Sequence, residues 1–371
     1  MRIGIDAREL CGHRTGVGRY LAGLLQEWSC ADRARCHEFI LYAPQPHGIA
    51  LDDRRFPTRI VAGTGGTRWE QHQLPAKISR DHLDVFFAPG YTAPLFSRVP
   101  LVVAIHDVSF AAHPEWFSAR EGLRRRLMTR RTASVARAVT TLSEFSKREL
   151  VELLHVPESK IHIIRPGVSI PNPNPQPPAP RRDPSLQPPA PGPQPRVLYV
   201  GSIFNRRHLP DLIRAFGDLV RHCPEAQLDL VGEDRTHPRE DIVAAIARER
   251  AGDRIRWHHY VSEAELTALY GAARAFAFLS EYEGLGLTPL EAMARGVPSV
   301  LLETPVAREA CGAAALYVRK GDLAATTDAL KQLLFDDIVR GRLLRDAPGV
   351  LAKYDWPRAA TETLAVLEGA V

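Results

Sequence analysis

Ala275-Phe-Ala-Phe-Leu279, followed by Ser280-Glu-Tyr-Glu-Gly-Leu-Gly-Leu-Thr-Pro-Leu-Glu-Ala-Met-Ala-Arg-Gly296, decides how this 371-residue chain folds. The apolar run is short and aromatic, which predicts a buried strand. Thr288 is an N-cap type, Pro289 suits the first helical position, and Gly296 with Pro298 ends a helix. The order is therefore strand, glycine loop, helix. Gly284 and Gly286 let a ligand approach the backbone, and a helix start attracts anionic oxygens. Glu283 stands at the mouth of the loop, and Glu291 is expected in the first helical turn. Thr288 and Glu291 also fit a capping box, in which Glu291 serves only the helix's own N-terminus. Two carboxylates beside an anion-attracting loop suit a ligand with both phosphate and hydroxyl groups. A nucleotide sugar is such a ligand.

Outward from this stretch, strands and helices alternate. Strands are expected at 196–200, 227–231, 255–258, 299–302 and 315–318, with helices at 209–222, 239–250, 262–272, 289–295, 323–333, 338–351 and 356–367. Ser262 and Glu265 form a second capping-box pattern. Before residue 168 the same alternation gives strands at 2–7, 39–43, 59–62, 85–88, 101–106, 138–142 and 161–164. Helical patterns there cover 17–28, 69–79, 115–137 and 146–154. Such alternation predicts α/β architecture with parallel sheets covered on both faces. Between the halves, Pro171–Pro195 holds twelve prolines and reads as a linker, with a proline-rich docking segment as the other reading. The expected division is thus a domain at 1–170, a linker at 171–195 and a second domain at 196–355. Ligands bind beyond the carboxyl ends of such sheets.

Three further groupings carry chemistry. Tyr199-Val-Gly-Ser-Ile-Phe-Asn-Arg206-Arg207 ends a strand at Gly201 and Ser202 and places two arginines just before a helix. Paired guanidinium forks there can hold a diphosphate without a metal, or can be a solvated loop. Val102-Val-Ala-Ile-His106-Asp107 puts His106 at the carboxyl end of a strand, where it is structural or a donor to sugar hydroxyls. Thr15-Gly16-Val17-Gly18-Arg19-Tyr20 follows the first strand and opens a helix, as a plain turn or as a phosphate-approaching loop.

Composition narrows the class. At 45% apolar and 25% charged, the chain is an ordinary globular protein long enough for two domains. No run approaches the roughly 18 apolar residues of a membrane span, and the start reads as a strand rather than a leader, so a cytoplasmic location is expected. Five cysteines without a Cys-x-x-Cys pair suit a reducing compartment and exclude a zinc knuckle. No Asp-x-Asp or histidine spacing calls for a metal, so no cofactor is expected. A net charge of +5 comes without any nucleic-acid-binding pattern, and no nucleic acid partner is expected. Six arginines between Arg120 and Arg131 share a helical pattern with Leu123, Leu127 and Met128. That helix, 119–131, reads as a solvated face or as peripheral contact with the inner face of an anionic membrane.

Tyr282-Glu283-Gly284-Leu285-Gly286-Leu287-Thr288-Pro289-Leu290-Glu291-Ala292-Met293-Ala294-Arg295-Gly296 resembles the signature of retaining glycosyltransferases of family four. There two glutamates with seven residues between them lie in a context like Tyr-Glu-Gly-Phe-Gly-Leu-Pro-Pro-Leu-Glu-Ala-Met-Ala-Cys-Gly. The arginine loop resembles that family's Gly-Ser-x-x-x-Arg-Lys element, with Arg207 where lysine is usual. His106-Asp107 resembles its His-Asp-x-x-Phe stretch, Gly16–Tyr20 its Gly-x-Gly-Arg-Tyr loop, and Ser143-Glu-Phe-Ser146 its helix start.

The resemblance implies a GT-B fold of two Rossmann-like doubly wound domains facing across a cleft, with the last helix, 356–370, packed back on the first. It implies hexose transfer from a nucleotide diphosphate sugar by same-face displacement, without a metal. Glu291 would hold the ribose, Arg206 and Arg207 the diphosphate, and Glu283 with the backbone of Gly284, Leu285, Gly286 and Leu287 the sugar. Ser202, Gly16 and Gly18 would line the donor, and His106 would reach the transferred sugar. The Gly-Ile-Asp-Ala-Arg start, residues 4–8, and His-Asp-x-Ser-Phe, residues 106–110, resemble bacterial mannosyltransferases, so GDP-mannose is expected before UDP-glucose. The acceptor would be a glycan or a lipid-linked saccharide. A nucleotide-sugar epimerase on the same plan, or an inactive nucleotide-sugar-binding protein, are the alternatives.

Overall fold

Strand and helix alternate to build two parallel sheets in the computed structural model, which describes residues 1–12, 16–52, 54–168, 195–249 and 251–371. The first sheet holds β1 (Arg2–Asp6), β2 (Glu38–Ala43), β3 (Thr58–Ile60), β4 (Val85–Ala88), β5 (Leu101–Ala104), β6 (Ala138–Thr141) and β7 (Ile161–Ile163). Their order is β3-β2-β1-β4-β5-β6-β7. The second sheet holds β8 (Arg196–Val200), β9 (Gln227–Val231), β10 (Ile255–His258), β11 (Ala275–Phe278), β12 (Ser299–Leu302) and β13 (Ala315–Val318), in the order β10-β9-β8-β11-β12-β13. Neighbouring strands pair parallel throughout. Helices cover both faces of a parallel sheet, which is why β4 and β11 are apolar at every position and wholly buried. Strand order reverses between β1 and β4 and again between β8 and β11. Ligands of doubly wound sheets bind just beyond the carboxyl ends at such reversals.

The chain divides into two units, Met1–Gly167 with Lys353–Val371, and Val168–Ala352. Within the first, the final helix, Trp356–Glu368, packs along the helix Gly16–Cys30. Trp28 Nε1 donates to the Ala360 carbonyl at 3.0 Å. The Trp356 ring fills the space beside Gly23, where a Cβ would come within 2.5 Å of it. Gly23→Ala is therefore expected to destabilise the first unit by about 1–3 kcal/mol through overpacking, measured as a lower urea midpoint with an unchanged slope. An unaltered midpoint would show that the indole moves aside freely.

The proline-rich segment, apart from Pro195, lies outside the described residues, as does Thr15. Elsewhere the structure moves several boundaries. β5 stops at Ala104, so His106 follows the strand rather than ending it. The helix expected over 115–137 is a 3-10 turn, Pro114–Trp116, and a separate helix, Ala119–Val135, because Phe117 and Ser118 are extended. A helix at Pro305–Cys311 was not read from the sequence. Thr304-Pro305 signals it: the Thr304 side chain accepts from the Ala307 N–H at 3.2 Å, and proline occupies the first turn.

Candidate functional site

In the second unit the loops that leave β8 and β11 meet at the reversal of strand order. Gly201, at the end of β8, has φ +144°, and a Cβ there would collide with Arg207 Nη1. That absence of a side chain lets the Arg207 guanidinium lie against the strand end. Arg207 Nη1 donates to the Ser202 carbonyl at 2.9 Å, while Nε and Nη2 reach Glu283 Oε1 at 3.2 and 3.1 Å. The guanidinium lies 4.8 Å from the centre of the Phe278 ring. Glu283 Oε1 also accepts from Ser280 Oγ at 2.8 Å. Both members of the pair are mostly shielded, with side chains 11% and 19% exposed. Burial works to lower the Arg207 pKa, but Glu283 and Tyr199 together outweigh it and the net shift is upward, so the guanidinium stays charged. Arg206 stacks instead on Phe204, 4.3 Å from its ring centre, and its carbonyl accepts from the Glu281 N–H at 2.9 Å. Ser202, Arg206, Arg207 and Glu283 are thus drawn together by two loops from sequence positions some eighty residues apart.

The helix after the glycine loop begins one residue before Thr288. Gly286 has φ +86° and precedes the helix Leu287–Ala294, which no side chain caps. Only glycine takes that left-handed turn without strain, and it starts the helix early. Thr288 is therefore not the N-cap, Pro289 is not the first helical position, and Glu291 sits beyond the first turn. This removes the capping-box reading of Glu291 at its source. Glu291 is half-buried, and its carbonyl accepts from Arg295 Nη1 at 3.1 Å. Gly284 and Leu285 are buried, while Gly286 and Leu287 are partly open.

In the first unit His106 lies just past the end of β5, which pairs with β4, one of the two strands that flank the other reversal. Its Nε2 stands 2.8 Å from the Pro89 carbonyl. A carbonyl only accepts, so Nε2 carries the hydrogen. Burial, opposed in part by the Pro89 bond and Asp107, pulls the imidazole pKa below its ordinary value and keeps the ring neutral. Nδ1, buried and without a protein partner, is left with a lone pair. The expected donor to sugar hydroxyls is therefore an acceptor at the ring nitrogen that has no partner among the described residues. Tyr20 and Tyr91 pack edge-on against the ring, with centroids at 4.9 and 5.8 Å. Tyr20 belongs to the helix that Gly16 and the buried Gly18 open, so that helix start and His106 are joined through one aromatic contact.

Sequence reading missed Ser280, Phe204, Phe278, Tyr20 and Tyr91. The first four were visible inside quoted stretches, but nothing in their spacing says that Ser280 would bond Glu283 or that the rings would lie under guanidinium or imidazole groups. Tyr91 carries no local signal at all.

Residues 14–170 match the family model described as Glycosyltransferase Family 4, and residues 194–336 the one described as Glycosyl transferases group 1. The chain belongs to glycosyltransferase family 4. This family-4 glycosyltransferase is 27% identical over 369 residues to the O-antigen chain mannosyltransferase B of Escherichia coli, covering 94% of this chain and 95% of that one. Its structure is similar to sucrose-phosphate synthase from Thermosynechococcus elongatus, with a TM-score of 0.77 at 17% identity, covering 100% and 98% of the two chains. It is also similar to Anabaena HepE in complex with UDP and glucose, with a TM-score of 0.73 at 18% identity and 100% coverage of both. These structural likenesses carry the fold, which is GT-B.

Proposed function

We propose that this glycosyltransferase moves a hexose, mannose before glucose, from a nucleoside diphosphate sugar to a glycan or lipid-linked acceptor of a cell-surface polysaccharide, with retention of configuration. The observation that carries the proposal is the Arg207–Glu283 pair between the two loops at the β8/β11 reversal, with Arg206 beside Arg207 on the same loop, over Phe204. Two fixed cations there can take the charge that develops on a departing diphosphate. Ser202 lines the same loop, and the start of the helix Leu287–Ala294 offers its dipole. Glu283, with the backbone of Gly284, Leu285, Gly286 and Leu287, takes the sugar hydroxyls, and Glu291 takes the ribose. Gly16 and Gly18 are further donor-contact residues in this reading, and His106 Nδ1 accepts from a sugar hydroxyl. With two guanidinium groups at the diphosphate, no metal is required, and chelator should leave the rate unchanged. GDP-mannose is favoured over UDP-glucose by the mannosyltransferase relative. The UDP and glucose held by HepE keep the other donor under test.

Incubation with each donor in turn, with slow release of free GDP or UDP as the readout, tests the assignment. Release from neither would end it. Glu291→Ala is expected to weaken nucleotide affinity about tenfold or more, the cost of losing a charged hydrogen bond to the ribose. Titration calorimetry reads this directly, and unchanged affinity would contradict the ribose role.

Docking on an anionic membrane belongs to the same proposal. On the helix Ala119–Val135, Leu123 and Leu127 are exposed one turn apart. Arg124 and Arg125 pair with Glu121. Arg120, Arg126, Arg130 and Arg131 are exposed and make no ion pair among the described residues. A face with apolar centre and unpaired cations suits a peripheral contact with acidic headgroups. Among the described residues no helix is long and apolar enough to cross a membrane. Cosedimentation with phosphatidylglycerol vesicles, lost in Leu123→Ser/Leu127→Ser, would support docking. Binding that is equal to neutral vesicles would overturn it.

A further inference from the structure

Directly after Arg206 and Arg207 the chain turns through His208 at φ +46° and ψ +42°. A side chain is strained in that conformation, and glycine is not. The His208 carbonyl accepts from the N–H groups of Asp211 and Leu212, at 3.0 and 3.2 Å, and so starts the helix Leu209–Val220. A glycine would do that equally well. The imidazole does something a glycine cannot: its buried Nε2 lies 3.1 Å from Glu281 Oε2, at ion-pair distance though not aligned as a hydrogen bond.

Glu281 in turn holds the arginine loop by its backbone, since its N–H donates to the Arg206 carbonyl at 2.9 Å. Its carboxylate also pairs with Lys320. Burial works to raise the Glu281 pKa, but Lys320 and His208 outweigh it and keep the carboxyl below its ordinary value. Besides this backbone bond, the loop that carries Glu281 and Glu283 therefore grips the loop 205–208 twice by side chains, once through Arg207 and Glu283 and once through His208 and Glu281. These two ties differ in one respect. A diphosphate drawing on the Arg207 guanidinium competes with Glu283 for it, whereas the His208–Glu281 contact involves no guanidinium and stands outside that competition.

We infer that His208 and Glu281 are positioning residues, which hold the Arg206–Arg207 loop in place for the diphosphate of the donor while Arg207 exchanges Glu283 for phosphate oxygens. The inference rests on the proposed role of those arginines as diphosphate ligands. Strain at His208 is then retained for binding, not for folding.

Calorimetric affinities of GDP and UDP, set against those of guanosine and uridine, test it on wild type, His208→Gly, Glu281→Gln and Arg206→Ala. His208→Gly relieves the strained turn, so its thermal midpoint is expected to be unchanged or raised. Its affinity for the nucleoside diphosphate is nonetheless expected to fall about tenfold, as for loss of one charged contact, with nucleoside affinity unmoved. Glu281→Gln is expected to show the same selective loss. Diphosphate affinity unchanged in both variants, while Arg206→Ala weakens it, would overturn the inference and leave the donor assignment standing. An equal loss for nucleosides would also overturn it, since that reports general distortion. If Arg206→Ala leaves diphosphate affinity intact, the donor assignment itself fails and the inference falls with it.

Discussion

Arg207→Met is expected to lower turnover by at least about a hundredfold, the scale of removing one preorganised charge donor from a transition state. In the free protein Arg207 is the guanidinium partner of Glu283 and spans from the Ser202 carbonyl to that carboxylate. Methionine preserves bulk against Phe278 but takes the cation from Glu283, leaving that carboxylate the Ser280 hydroxyl as a donor. The half-buried carboxylate then repels the diphosphate that Arg207 would have attracted. Arg207→Lys keeps the charge and is the residue that the family resemblance makes usual. Lysine lacks the fork that serves Ser202 and Glu283 together, so a loss of about tenfold is expected. Initial rates of donor turnover, with thermal midpoints measured alongside, separate chemistry from folding. If methionine and lysine variants lose midpoint and rate in equal proportion, the arginine is structural. If the methionine variant retains wild-type rate, the charge of Arg207 has no part in transfer.

Much of this was legible in the chain because parallel α/β sheets announce themselves. Apolar runs such as 85–88 and 275–278 can be read only as strands buried on both faces, and their spacing leaves room only for crossover helices. Glu283, Arg206 and Arg207 were legible as a group because glycine punctuation fixed where each strand had to end. What stayed hidden was pairing. Nothing local says that Glu283 would take Arg207 while Glu281, two residues earlier, takes His208 and Lys320. Gly286, in its left-handed conformation, also moved the helix start away from Thr288. The histidine fared similarly. Its place near the sheet's carboxyl end could be read from the run 102–106, but its tautomer depends on the Pro89 carbonyl, brought in by the neighbouring strand.

Arg8→Met is expected to cost the first unit about 3–5 kcal/mol, the range for breaking a buried ion pair by removing one partner. Arg8 follows β1 and sits between two carboxylates, Asp6 and Glu70, whose side chains are 3% and 2% exposed. Its Nε donates to Asp6 Oδ2 at 2.8 Å, its Nη2 pairs with Glu70, and its Nη1 donates to the Gly65 carbonyl at 2.9 Å. Thr92 Oγ1 and Gln71 Nε2 complete the shell of Glu70, at 2.6 and 2.5 Å. Burial works to lower the Arg8 pKa, yet Asp6 and Glu70 outweigh it and raise the pKa, so the guanidinium stays charged. Removing the one cation leaves two carboxylates that water cannot reach, and neither hydroxyl nor amide can neutralise them. The thermal midpoint should fall by an amount on the order of 10 °C. Arg8→Met/Glu70→Gln removes one of the two stranded charges and should recover part of that loss, which simple loss of Arg8 packing on Trp69 would not allow. A fall of under about 1 kcal/mol in the single variant would place the cluster with ordinary surface pairs. Because Arg8 ties the end of β1 to the turn at 69–73, and Glu70 ties that turn to Thr92, the same substitution should loosen the segment from Pro89 to Ala93 that fixes His106. Faster exchange of the Tyr91 amide, which donates to the Ala104 carbonyl at 2.9 Å, is the local signature that distinguishes this from uniform destabilisation.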